Sequence, residues 1–188
     1  FHGIYRYTNL DYPDIYFNEN IQRLIQNYRS SFLQLGLQNL YSSDPDGKVK
    51  TLKLLKMMDD YFPSEVIPTT DAELDIQIGR IYQQAGKPEE LKNRLDQIQK
   101  RKDLSLASKI YIGQIYLSEF EDTNAGIEYY QRLYDEYPYI PDIFYTLVQA
   151  YAKEERRDEA REHLELWLLS HPNDSQAIDW LSILSMQE

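Results

Sequence analysis

The chain has 188 residues, 42% of them hydrophobic and 27% charged, with 20 Lys and Arg against 31 Asp and Glu for a net charge of -11. That supply of apolar residues suits one ordinary domain or one continuous array, and the negative balance excludes nucleic-acid binding by phosphate neutralisation. The lack of cysteine excludes disulfides, thiolate zinc sites, iron–sulfur clusters and thiol catalysis, and no apolar run approaches the roughly 18–20 residues that span a bilayer.

Beginning at Phe1 without methionine, the sequence is expected to be a segment of a longer polypeptide. Residues 1–20 carry Tyr5, Tyr7, Tyr12, Tyr16 and Phe17 with little helical periodicity and predict an extended aromatic arm that covers the open end of the downstream helices. Apolar spacing then predicts nine helices, near 19–41, 48–62, 71–86, 88–101, 105–119, 123–136, 141–154, 157–170 and 174–186. Thr70 followed by Glu73 reads as a capping box for the third helix, and Gly86-Lys87-Pro88 closes it and starts the fourth. Pro141 suits a first helical position, and Pro63, Pro138 and Pro172 punctuate exits.

These helices repeat in pairs. Ile78, Gly79 and Tyr82 stand 34 residues before Ile112, Gly113 and Tyr116; Gly126 and Tyr130 stand 34 before Ala160 and Leu164, as Pro138 does before Pro172. Phe144, Leu147, Val148, Tyr151, Ala160, Leu164 and Pro172 follow the pattern W-x2-L-G-x2-Y, A-x3-F, P without a gap. A divergent unit at 29–63 carries Phe32, Leu35, Gly36, Thr51, Leu55 and Pro63. A small residue such as Gly79 or Gly113 lets the second helix of a hairpin approach the first, while Tyr82, Tyr116 and Tyr151 fill space between hairpins. The last segment, with Ile178, Leu181 and Leu184 on one stripe, is expected to act as a capping helix, and Trp180 and Ile183 to pack on the helix of Trp167.

Residues 71–172 carried by these motifs resemble tetratricopeptide repeats. The resemblance implies an all-α fold, a right-handed α-α superhelix of about nine helices. After the arm it forms a single domain at 21–188, with the divergent unit 29–63, units 72–103, 106–138 and 141–172, and a capping helix at 174–186. It also implies a protein or peptide binding scaffold whose first helices line a groove. Carried over position by position, the groove comprises Glu73, Ile76, Arg80, Gln83 and Gln84, then Ile110, Gln114, Leu117 and Ser118, then Tyr145, Gln149 and Lys153. The peptide-binding residues expected from that set are Arg80, Gln83, Gln84, Gln114, Tyr145, Gln149 and Lys153, with amides and cations for a peptide backbone or carboxylate, and Ile76, Ile110 and Tyr145 for apolar contact. Ile76 and Ile110 stand where arrays that grip acidic chaperone tails need polar groups.

A second resemblance lies in Tyr16-Phe17-Asn18-Glu19-Asn20, Arg23 and Asn27-Tyr28-Arg29-Ser30, which is similar to the start of the carboxy-terminal soluble region of bacterial multispan membrane proteins of the C-type glycosyltransferase, protein mannosyltransferase-like kind. It implies an accessory module that positions or recognises an acceptor, the extracytoplasmic domain of an inner-membrane protein; without it a cytoplasmic placement is expected.

No catalytic constellation emerges, and the chain is not expected to be an enzyme. His2, His163 and His171 are scattered without the i, i+4 spacing of a helical metal site, the seven glycines are dispersed, and the carboxylates of 154–165 alternate with Arg156, Arg157 and Arg161 as on a solvated face. Neither metal nor cofactor is expected. Residues 1–70 hold 7 basic and 8 acidic side chains, 71–104 hold 7 and 7, and 105–188 hold 6 and 16, which favours basic partners for the last units and repels anionic lipid. The expected partners are a protein or peptide, or the remainder of the same polypeptide, with self-association through the arm or last helix as the alternative.

Overall fold

A computed structural model describes residues 10, 12, 14, 16–69, 71–120 and 123–186. The described residues form nine α-helices and no strand: α1 Glu19–Leu40, α2 Gly47–Tyr61, α3 Ala72–Gln84, α4 Pro88–Ile98, α5 Leu106–Ser118, α6 Asn124–Glu136, α7 Pro141–Lys153, α8 Arg157–Ser170 and α9 Ser175–Ser185. Every expected helix is present. None of them is long and apolar enough to cross a membrane.

Helix ends follow their capping chemistry. The side chains of Asn18, Asp71, Ser105 and Asp174 each accept from a backbone N–H two or three residues into the next helix. The α3 cap is therefore Asp71, which accepts from Leu74 N at 2.7 Å; Thr70, expected to open that helix, lies outside the described residues. Pro88 and Pro141 occupy first turns, where their missing N–H costs nothing. Helix α4 stops three residues before its expected end at 101, because Lys100 N and Arg101 N donate to Gln97 O and Ile98 O and tighten the chain into an i+3 turn. The α3–α4 and α7–α8 turns share one closure. Lys87 N donates to Tyr82 O at 2.9 Å and Arg156 N to Tyr151 O at 3.0 Å, with Gly86 at φ 102° in the first turn and Glu155 at φ 59° in the second.

The chain divides into two compact units, Phe1–Leu104 and Ser105–Glu188. In the first, the α1–α2 and α3–α4 hairpins enclose Ile25, Leu33, Leu55, Met58, Phe62, Ile67, Ile78, Ile81 and Tyr82. Phe62 takes Tyr28 in a stacked contact at 6.2 Å and Phe32 edge-on at 6.1 Å. Of the aromatic arm, residues 1–9, 11, 13 and 15 lie outside the described set. Phe17 enters the core as expected of a covering aromatic, whereas Tyr12 and Tyr16 are exposed.

Within both units the first helix of a hairpin approaches the second at a glycine. A Cβ on Gly79 would lie 2.9 Å from Leu91 Cα, and one on Gly113 would lie 2.6 Å from Tyr130 Cε2. In the α7–α8 hairpin the larger Val148 replaces the glycine, while the smaller Ala160 stands at the position of Leu91; both are fully buried. Volume is exchanged across the pair, as close packing requires. The second unit is closed by α9, whose inner face is led by the fully buried Ala177, with Trp180 edge-on to Tyr145 at 5.3 Å. Trp180 is half-buried against Tyr145 of α7 rather than on the Trp167 helix expected for it, and Ile183 and Ile178 are exposed. The inward stripe thus passes through Ala177 rather than Ile178, because the α9 axis is fixed by the α8–α9 turn and by Asp174.

Candidate functional site

The α8–α9 turn makes the second unit's end rigid. Asp174 accepts from Tyr145 Oη at 2.7 Å, from Trp167 Nε1 at 2.8 Å and from Ala177 N at 3.2 Å, tying α7, α8 and α9 to one carboxylate. The hydroxyl and indole bonds, in that order, hold the Asp174 carboxyl below its ordinary range. Burial and the same carboxylate push the Tyr145 hydroxyl well above its ordinary value. Trp167 is sandwiched between Phe144 at 4.2 Å and His171 at 3.8 Å, both stacked. Tyr145 is therefore a fixed wall of the unit.

Three of the expected groove residues of the second unit share one hollow between α5 and α7. Leu117 from α5 and Gln149 and Lys153 from α7 line a hollow of about 150 Å³ with Thr123, Thr146, Ala150 and Glu154. Gln149, Lys153 and Gln114 are exposed, and Ile110 is half-buried. The hollow thus combines an apolar floor, an amide and one cation beside one carboxylate.

In the first unit, α3 carries the corresponding Arg80 and Gln83, both half-buried, and Gln84, which is exposed and accepts from Tyr41 Oη at 2.7 Å. Ile76, expected to offer apolar contact to a ligand, is 1% exposed and cannot do so. Its α3 position lies among Asp75, Ile78 and Gly79, all buried, so that helix hides a wider face than its groove register implied.

The sequence pattern gave little sign of a buried ionic cluster in the same unit. Arg94 donates from Nη2 to Asp59 Oδ2 at 2.7 Å and from Nη1 to Asp75 Oδ1 at 3.5 Å. Thr69 Oγ1 donates to the other Asp75 oxygen, and Tyr82 Oη donates to Asp59 Oδ2 at 2.7 Å. Burial outweighs the Thr69 bond and the neighbouring Arg94 and Arg29, and raises the Asp75 carboxyl. Arg29, 2% exposed, donates to Gln26 Oε1 at 3.2 Å and to the carbonyls of Phe62 and Ile67, pinning the α2–α3 connection. Clefts of about 370 and 190 Å³ flank Arg94. One signal was present: Arg29 lies four residues from both Ile25 and Leu33 and so on the buried stripe of α1. Asp59, Asp75 and Arg94 sit on three separate helices and left none.

A further, open trough of about 460 Å³ lies along α6 and α8, lined by Glu128, Gln131, Arg132, Tyr134, Asp135 and His163. His163 stacks on Tyr151 at 5.2 Å, and burial lowers its pKa, favouring the neutral ring. Among the described residues no group of three or more His, Asp or Glu side chains could hold a metal ion.

Residues 117–179, from the last turn of α5 into α9, match the family model described as tetratricopeptide repeat. No curated protein matches the chain. Members of that family are typically non-catalytic. The match places a tetratricopeptide repeat at residues 117–179, and the helical hairpins of the described residues give an all-α, tetratricopeptide-like fold, a repeat type that in general serves protein–protein interaction.

Proposed function

We propose that the second unit holds an extended peptide along α5 and α7, in the hollow of Leu117, Thr146, Gln149, Ala150, Lys153 and Glu154. The observation that carries this reading is the convergence of Leu117, Gln149 and Lys153, from two helices, on one cavity of about 150 Å³. Leu117 and Ala150 supply apolar contact, Gln149 can both donate to and accept from a peptide backbone, and Lys153 can meet a carboxylate. Gln114 extends the amide row along α5. Tyr145 acts as a supporting wall, since its hydroxyl is committed to Asp174. Arg80, Gln83 and Gln84 take the same role on α3 of the first unit.

The test begins with peptides selected on the intact chain from a displayed random library. A Gln149→Ala, Lys153→Glu double variant is expected to weaken the selected peptides about tenfold or more, as does Arg80→Glu combined with Gln149→Ala. Unchanged affinity in both variants refutes the groove. The finer placement, an accessory module of a larger polypeptide or the soluble tail of a membrane glycosyltransferase-like protein that positions an acceptor, rests on the resemblance of residues 16–30. The parent reading frame tests it, since a preceding series of membrane spans is required.

A further inference from the structure

The way α8 is seated in the second unit assigns a use to the far side of α8 and α9. Helix α8 lies on a surface made by α6 and α7. Phe144 of α7 stacks on Trp167 at 4.2 Å, and Tyr134 of α6 meets both Phe144 at 5.9 Å and His163 at 6.0 Å. Arg132 and Asp135 of α6 line the trough in which His163 sits.

The α8–α9 pair repeats the α6–α7 pair 34 residues on. Gly126, Tyr130 and Leu133 are buried, and so are Ala160, Leu164 and Trp167; Ile143 is buried, and so is Ala177. In that register Arg132, Tyr134, Asp135 and Phe144 become Leu166, Leu168, Leu169 and Ile178. The two residues that touch α8, Tyr134 and Phe144, are thus repeated as Leu168 and Ile178, and the two charged residues of the trough beside it, Arg132 and Asp135, as Leu166 and Leu169. Leu166 is 55% exposed, Leu169 83% and Ile178 46%. Exposed aliphatic residues clustered on one face in this way mark an interaction surface.

The surrounding charge selects the occupant. Between Glu162 and Met186 there is no Lys or Arg, while Glu162, Glu165 and Asp179 are exposed. A second copy of this chain would bring the same carboxylates to the seat, and an anionic lipid surface would be repelled. We propose that this face docks an amphipathic helix of a protein partner, with an aliphatic stripe for Leu166, Leu169 and Ile178 and Lys or Arg along its flanks. A helix of about three turns, roughly 16 Å, matches the length of α9. This surface is separate from the groove of Gln149 and Lys153.

The test uses the intact chain and two labelled helical peptides that share one leucine stripe, one with Lys flanks and one with Glu flanks, read by fluorescence anisotropy. Saturable binding of the Lys peptide, about tenfold or more tighter than the Glu peptide and weakened by salt, is expected. Leu169→Glu and Ile178→Glu, both at exposed sites, are expected to lower that affinity about tenfold or more with the helical circular dichroism unchanged. Ile183→Glu, in the register of Gln149, and the Gln149→Ala, Lys153→Glu variant leave it unchanged, which separates this surface from the groove. The proposal is overturned by equal binding of the two peptides, by no saturable binding of the Lys peptide, by loss of affinity in Ile183→Glu equal to that in Ile178→Glu, or by a chain that dimerises in sedimentation until Ile178→Glu makes it monomeric.

Discussion

Two glycines at the same place in successive hairpins are expected to answer substitution by alanine with opposite sign. An alanine Cβ at Gly79 would stand 2.8 Å from Leu91 Cδ1 and 2.9 Å from Leu91 Cα. The leucine methyl can turn away, but the Cα cannot, so α3 and α4 must part by about 0.5 Å to restore even a tight contact of 3.4 Å. Overpacking of this kind costs about 1–3 kcal/mol, against about 1 kcal/mol that alanine returns through helix propensity. The net expectation for Gly79→Ala is a loss of about 1 kcal/mol, or a Tm about 2–4 °C lower in a chain of this length. At Gly36 the nearest atom to the new Cβ is Thr51 Cγ2 at 3.7 Å, an ordinary contact. Only the propensity gain operates there, and Gly36→Ala is expected to raise Tm by about the same amount. Thermal unfolding followed by far-ultraviolet circular dichroism compares the pair. Shifts of the same sign, or a more stable Gly79→Ala, would refute the idea that backbone proximity rather than helix propensity fixed glycine at position 79.

The remaining expectations concern polar positions. Arg94→Met leaves Asp75 buried beside Thr69 and the more distant Arg29 and Arg101 and is expected to cost about 3–5 kcal/mol in urea unfolding; adding Asp75→Asn should recover a substantial part, and no recovery would mean that Arg94 acts through packing alone. Glu155→Gly removes a side chain from a left-handed backbone conformation (φ 59°) and is expected to stabilise by about 1 kcal/mol, read as a higher Tm. Asp174→Ala breaks three hydrogen bonds and is expected to cost about 1–3 kcal/mol, with Trp167 fluorescence reporting the release of α9. Because the Asp174 carboxyl is held below its unfolded value, the native state binds fewer protons, so its stabilisation is complete above about pH 4 and disappears as pH falls through the lowered native value. An Asp174→Asn variant with an undiminished acid limb of stability would contradict this assignment.

The hairpin architecture was legible in the sequence because each helix is specified locally. Apolar spacing, Pro88 and Pro141 in first turns, Gly86 at a positive φ and the spacing of Gly79 and Gly113 act within a few residues or within one hairpin. Of the expected groove residues, Gln149, Lys153 and Leu117 share a hollow, whereas Ile76 is buried and Tyr145 is bound into the α8–α9 turn. What a side chain faces across two other helices has no period along the chain. Asp59, Asp75 and Arg94 come from α2, α3 and α4, and Arg29 from α1, so only packing brings them to one buried ionic cluster.

The last helix draws the same line. Its existence was legible in the apolar spacing of Ile178, Leu181 and Leu184. Its rotation was not, because an amphipathic stripe as weak as Ile178, Leu181 and Leu184 leaves several faces nearly equal in burial. Three hydrogen bonds to Asp174 and the contact of Trp180 with Tyr145 turned Ala177 inward and Ile178 out. Local sequence determined where the helices are, and long-range packing decided which of their faces remain available.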